Sequence, residues 1–171
     1  MRAKLTISAL TLFSGVASAQ SLDVGVEIPR LAVAEYHRPY VAVWISTPDH
    51  QVAANLAVWY QQDEGPEGKG EDWLKDIRQW WRRTGRSLEM PVDGVSMPTR
   101  APGQYTLSFT SDDERLQSLD PGSYILHVEA SREVGGRELV SIPFEWSSDS
   151  QADVVETGVE ELGEVRLTLK P

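Results

Sequence analysis

The feature that most constrains this chain is a period of two in its apolar residues, broken at short intervals by turn-forming residues. Leu22-Asp23-Val24-Gly25-Val26-Glu27-Ile28 alternates apolar with polar or small residues until Pro29 stops it. That period puts one face of an extended strand into a core and the other toward water. Tyr40-Val41-Ala42-Val43-Trp44-Ile45 and Leu56-Ala57-Val58-Trp59-Tyr60 flank the turn-forming Thr47-Pro48-Asp49-His50, which predicts a β-hairpin. Tyr105–Phe109 follows Pro102-Gly103, and Tyr124–Ala130 rises from Asp120-Pro121-Gly122. Leu139–Trp146 returns after Gly135-Gly136, and Val165–Leu169 ends the pattern. About seven such strands predict a mainly β fold, specifically an immunoglobulin-like antiparallel β-sandwich.

One segment departs from this period. Between Glu71 and Arg83 the apolar residues Trp73, Leu74, Ile77, Trp80 and Trp81 fall within a wedge of about 120° on a helix. Glu71 and Asp72 at its start, Arg82 and Arg83 at its end and Gly85 beyond suit a helix dipole and a C-terminal cap. An amphipathic helix over about 71–84 is therefore expected, inserted between strands and packed over one edge or end of the sandwich. Gly65-Pro66-Glu67-Gly68-Lys69-Gly70 reads as its flexible lead-in.

The N-terminus reads as an export signal. Arg2 and Lys4 precede an uncharged apolar run from Leu5 to Val16, and Ala17-Ser18-Ala19 supplies small residues for a signal peptidase. The run is too short for a membrane span of roughly 20 residues. Residues 1–19 are thus expected to be a cleaved Sec signal, leaving 20–171 as a single domain. No later segment is apolar enough to cross a membrane, and the mature chain is expected in the periplasm or outside the cell. The sequence contains no cysteine. A lipid anchor on cysteine and cysteine-based metal or redox chemistry are therefore excluded, and an exported domain must rely on packing alone.

Removing two basic residues with the signal leaves 14 bases against 26 acids, a net charge of −12. Such a balance argues against nucleic acid as a partner. The charge is uneven: Asp149–Glu164 holds six acids and no base, while Lys75–Arg86 holds five bases and one acid. The acidic stretch is expected to be a solvated loop.

Catalytic signatures are missing. There is no Gly-x-Ser-x-Gly elbow and no His-Glu-x-x-His zinc helix, and Gly65–Gly70 lacks the Lys-Ser/Thr of a phosphate loop. Asp112-Asp113-Glu114 lacks the spaced oxygens of a calcium loop and reads as a solvated turn. Of the three histidines, His37 and His127 form the best metal pair, which two ligands alone support weakly. In Glu129–Glu138 the charges are placed to pair across a hairpin end. The sharper alternative is an anion-recognition point with Arg132 and Arg137 as bidentate donors. Trp44, Trp59 and Trp146 are expected to fill the core. Trp80-Trp81 with Arg78, Arg82 and Arg83 either pack the helix or present rings and guanidinium groups to a planar anion or a partner.

Four blocks, Tyr36–Ile45, Leu56–Tyr60, Trp73–Trp81 and Arg132–Glu138, together resemble the predicted periplasmic proteins of domain-of-unknown-function family 2271. The resemblance spans nearly all of the mature chain. It implies an exported protein with an immunoglobulin-like domain and association with PepSY-type membrane proteins or a flavin transferase system, and it names no cofactor. Positions matching a shared binding site would be His37, Arg38, Trp80, Trp81, Arg132, Glu133 and Arg137. The expected function is a non-enzymatic accessory domain of a membrane redox or metal (iron) uptake system. The alternative is a periplasmic metal-, flavin- or haem-binding protein. An unrecognised hydrolase or transferase using Glu133 stands third.

Overall fold

The computed structural model describes residues 20–65 and 68–171, so the expected signal at 1–19 lies outside the described residues. Among the described residues the strands are β1 (Ser21–Ile28), β2 (Tyr40–Ser46), β3 (Val52–Tyr60), β4 (Ser96–Pro98), β5 (Gly103–Thr110), β6 (Gly122–Ser131), β7 (Arg137–Trp146), β8 (Ala152–Thr157) and β9 (Glu164–Lys170). They form a four-stranded sheet in the order β5-β1-β9-β8 and a five-stranded sheet in the order β4-β3-β2-β6-β7. Every named pairing is antiparallel except β3 with β4.

The alternation of β1 does what its period dictates: Leu22, Val24, Val26 and Ile28 are buried and the residues between them are not. With Val165, Leu167 and Leu169 of β9 they meet Val41, Val43, Leu56, Trp59, Leu126 and Val128 of the larger sheet in one core. Each fully buried aliphatic side chain there contributes roughly 1.5–3 kcal/mol.

β2 behaves differently, with Val41 through Ser46 all buried. Its second face is covered too, because Ala42, Trp44, Val58 and Tyr60 form a separate apolar cluster with Leu74, Ile77, Trp80 and Val95. A strand covered on both faces reads as a continuous apolar run, which is the pattern of Tyr40–Ile45. The intervening segment therefore lies over the outer face of the larger sheet, not over an edge or end as expected.

That segment is also not one helix. Gly70–Asp76 is a 3-10 helix and Arg78–Arg83 is a short α-helix, α1, with Ile77 non-helical between them at φ −78° and ψ 75°. The buried residues Leu74, Ile77 and Trp80 recur every third position across the 3-10 helix, the break at Ile77 and α1, and all three face the larger sheet's outer cluster. Trp73, expected in the apolar stripe, is 42% exposed.

Two polar expectations change as well. The acidic stretch contains strand β8, and Glu161 within it is buried. Asp113 is not simply solvated: Arg115 donates to it at 2.6 Å, which holds its carboxyl below the usual range despite partial burial. Arg115 also donates to the Gly94 carbonyl at 2.7 Å and lies over the Phe109 ring.

Candidate functional site

The site is built at the end of the larger sheet where β2 and β7 begin and β3 and β6 finish. Register places Tyr40 opposite Ser131, and Ser131 opposite Arg137. The β6–β7 turn is closed by the Gly135 amide donating to the Arg132 carbonyl at 3.0 Å and the Arg132 amide donating to the Gly136 carbonyl at 3.1 Å. Arg132 folds back over this turn. A Cβ on Gly135 would lie 2.4 Å from Arg132 Cζ, so the guanidinium rests against backbone that only glycine leaves free. Its Nε and Nη2 donate to Glu161 at 2.8 and 3.0 Å, and the Gly136 amide donates to the same carboxylate at 2.7 Å. Both side chains are buried, and the Tyr36 ring covers the guanidinium at 6.0 Å. Breaking one side of such a buried pair costs about 3–5 kcal/mol.

A second buried carboxylate organises the opposite wall. Glu129, fully buried on β6, accepts from the Gln79 and Trp80 amides at 2.9 Å each, at the start of α1. It also accepts from Arg137 Nη1 at 3.0 Å. No side chain within α1 caps its first turn, so a strand residue supplies the acceptor. Glycine matters once more at Gly70, where a Cβ would lie 1.8 Å from the Gln61 carbonyl oxygen. That contact brings the 3-10 segment directly onto the end of β3.

Between these walls lies a cleft of about 650 Å³. Tyr36, His37, Arg38 and Tyr40 line one side, Trp73, Asp76 and Arg78 another, and Arg132 through Arg137 the floor and rim. Val134 on that rim holds φ 52°, a left-handed conformation that is costly for a β-branched residue, and is 78% exposed. The lining is mixed in charge: Arg38, Arg78, Arg132 and Arg137 face Asp76 and Glu133, with Glu129 and Glu161 behind them. Among the described residues, no carboxylate lies within 4.0 Å of Arg38 or Arg78. His37 sits between Glu35 (3.1 Å from Nε2) and Glu133 (3.4 Å from Nδ1).

Three of the seven buried polar atoms without a hydrogen-bond partner among the described residues belong to this lining. Tyr36 OH, His37 Nε2 and Arg132 Nη1 are buried and make no hydrogen bond among the described residues, although His37 Nε2 lies 3.1 Å from the Glu35 carboxylate. All three residues line the cleft. Burial raises the Tyr36 pKa although Arg132 pulls it down, so the phenol stays a neutral donor. Unmet buried donors of this kind are uncommon in folded proteins and mark positions that a water, an ion or a ligand can satisfy.

Of the residues expected from sequence, His37, Arg38, Arg132, Glu133 and Arg137 line this one cleft. Trp80 does not: it is fully buried beneath α1 and donates from Nε1 to Asn55 Oδ1 at 2.9 Å. Trp81 lines a neighbouring hollow, and Trp73 supplies the cleft's indole instead. His127 is not brought to His37. Its ring nitrogens lie 2.9 Å from Ser46 Oγ and 2.8 Å from Ser141 Oγ, and it stacks on Trp44 at 4.8 Å. Burial first, then Arg83 and His50, lower its pKa to about 4. Among the described residues no group of three or more His, Asp or Glu is placed to hold a metal ion.

Of the hairpin charges, Arg137 pairs with Glu129 across β6 and β7 as expected, while Arg132 and Glu138 reach away from the hairpin. Arg132 reaches Glu161, and Glu138 accepts from four backbone amides of Val159–Leu162, which outweigh burial and lower its pKa. Glu129 opens the charge block expected to pair across the hairpin, whereas Glu161 carries no local sequence mark. Glu129 occupies the outward position of an alternating strand, and only the covered outer face makes it structural.

Fold and site together define a mainly β, two-sheet protein with a mixed-charge cleft at one end of its larger sheet. Residues 21–164 match the family described as "Predicted periplasmic protein (DUF2271)", and the chain belongs to that family. The family description places the protein in the periplasm. No curated protein and no solved structure matches the chain. No helix among the described residues is long and apolar enough to cross a membrane.

Proposed function

We propose that this is a non-enzymatic periplasmic binding protein that holds a small polar ligand in the cleft between Tyr36–Tyr40, the 3-10 segment and the β6–β7 turn. The observation that carries this is the convergence on one lining of Tyr36 OH and Arg132 Nη1, buried without a hydrogen-bond partner among the described residues, beside the His37 ring held between Glu35 and Glu133. The aromatic faces of Tyr40 and Trp73 suit the body of a ligand, and Arg38 and Arg78 suit its acceptors. In this reading the two sheets are an immunoglobulin-like sandwich carrying the 70–83 segment as an insertion, and residues 1–19 are removed on export.

The test is a native mass spectrum of Gln20–Pro171 purified from the periplasm without chelators. An added mass is expected, and Arg38→Ala, which leaves the buried pairs intact, is expected to lose it. A bare mass, with no thermal shift across a panel of polar metabolites including flavin and haem, overturns the proposal.

One observation favours the accessory role as a second reading. Val134 and Val159 are 78% and 89% exposed, on loops joined by the Glu138 carboxylate and the 159–162 amides. An exposed valine on the cleft rim and a second on the 159–162 loop suit contact with an envelope protein such as a PepSY-type or flavin-transferase component of a redox or iron-uptake system. In-cell cross-linking from position 159 that recovers no envelope protein removes that reading.

A further inference from the structure

Beside the cleft lies a second hollow of about 450 Å³, lined by Lys75, Arg78, Gln79, Trp81, Arg82 and Arg137. Its composition is anomalous for a protein with a formal net charge of −10: four cations, one indole, one amide and no acid. Among the described residues, Lys75, Arg78 and Arg82 have no carboxylate within 4.0 Å, while Arg137 has Glu129. Lys75 Nζ rests 5.1 Å from the Trp73 ring centre, and Arg82 donates to Gln79 at 2.8 Å. These contacts orient the cations without neutralising them.

Arg78 and Arg137 line both hollows, so the basic hollow lies directly beside the cleft and shares those two side chains with it. The two spaces differ in chemistry. The cleft is aromatic and carries Asp76 and Glu133 among its four arginines, whereas the hollow is lined by cations with no acid.

We infer that the basic hollow is the anion subsite of the ligand bound in the cleft, and that the ligand is a soluble phosphate ester or diphosphate. The inference rests on the cleft being a ligand site and adds the class of ligand. A single carboxylate offers one charge to three uncompensated cations. A phosphate-type group brings nearly two charges and at least three acceptor oxygens, which Lys75 can meet as a point charge and the two arginines as forks. Trp81, half-buried beside them, walls the anion on its apolar side.

The experiment titrates inorganic pyrophosphate into the full mature chain and reads tryptophan fluorescence and heat, for the natural protein and for Lys75→Ala/Arg82→Ala. Both side chains are exposed and hold no part of the core, so the variant folds. Pyrophosphate is expected to bind the natural protein, more weakly as salt is raised, and the double variant is expected to bind about tenfold or more weakly. Equal affinity in the two proteins, or no binding to the natural protein at millimolar pyrophosphate, overturns the inference. Pelleting with phosphatidylglycerol vesicles in the absence of pyrophosphate binding also overturns it, since the phosphate then belongs to a lipid. Arg38→Ala separates the two proposals. If it leaves pyrophosphate binding intact yet the periplasmic protein carries no ligand, the cleft fails while the subsite stands. If it removes a retained ligand while the double variant binds pyrophosphate normally, the subsite alone fails.

Discussion

His127 makes this protein acid-sensitive by an amount that follows from its surroundings. The ring is 6% exposed, stacked on Trp44 and held between Ser46 and Ser141, with Arg83 and His50 as its nearest charged or titratable influences. None of these favours a second proton, and its pKa falls from 6.5 to about 4. The unfolded chain takes that proton near pH 6.5 and the folded one only near pH 4. Between those values the unfolded state binds more protons, so stability is present above pH 6.5 and falls as pH drops. A fall from 6.5 to about 4 corresponds to about 3 kcal/mol once both states are protonated, of which about 2 kcal/mol is lost by pH 5. The assay is urea unfolding at pH 7 and pH 5, for the natural protein and for His127→Gln, whose amide can still bond a serine hydroxyl but does not titrate. The natural protein is expected to lose about 2 kcal/mol more than the variant between the two conditions. Asp113 and Glu138, whose carboxyls are held low, titrate equally in both and cancel. Equal losses would refute the argument that a neutral, desolvated imidazole is built into the outer face of the sheet.

Glu129→Gln is expected to cost about 3 kcal/mol, because it leaves Arg137 without its carboxylate and weakens the acceptor for the Gln79 and Trp80 amides; faster hydrogen exchange at those two amides distinguishes loss of the α1 cap from general destabilisation. Gly70→Ala is expected to cost about 3 kcal/mol in chemical unfolding, since its Cβ would meet backbone and the 3-10 segment must lift off Gln61. A cost below about 1 kcal/mol in either case contradicts the packing described. Val134→Asn is expected to stabilise by about 1 kcal/mol, seen as a raised midpoint, because asparagine tolerates φ 52° and the exposed valine buries little.

Much of the scaffold was legible because strand periodicity is a local property. The alternation in Leu22–Ile28 and the turn residues before Tyr105 and Tyr124 specify strands and their inward faces without knowledge of what packs there. The arginine-rich turn at 132–137 and the Tyr36-His37-Arg38 segment were legible as candidates for the same reason, since their residue types bear chemistry wherever they fold. By itself, then, the sequence determined that the chain is mainly β, which residues of β1 and β9 enter the core, and which polar blocks could serve a site.

Only the tertiary structure decided what those blocks do. The unbroken apolar run of β2 means a strand covered on both faces, but a run alone does not say what covers it. Once Leu74, Ile77 and Trp80 cover it, the same packing breaks the expected helix at Ile77, buries Trp80 and leaves Trp73 at the cleft. Glu161 lies in an acidic stretch that reads as solvated and becomes the buried partner of Arg132 only through a contact 29 residues away in the chain. Glu129, expected to pair across the hairpin, does so with Arg137 but is fully buried only because α1 covers it. Periodicity reports which way a side chain points. The cost of burying a charge is met by a partner elsewhere in the fold, and that partner is not written in any local pattern.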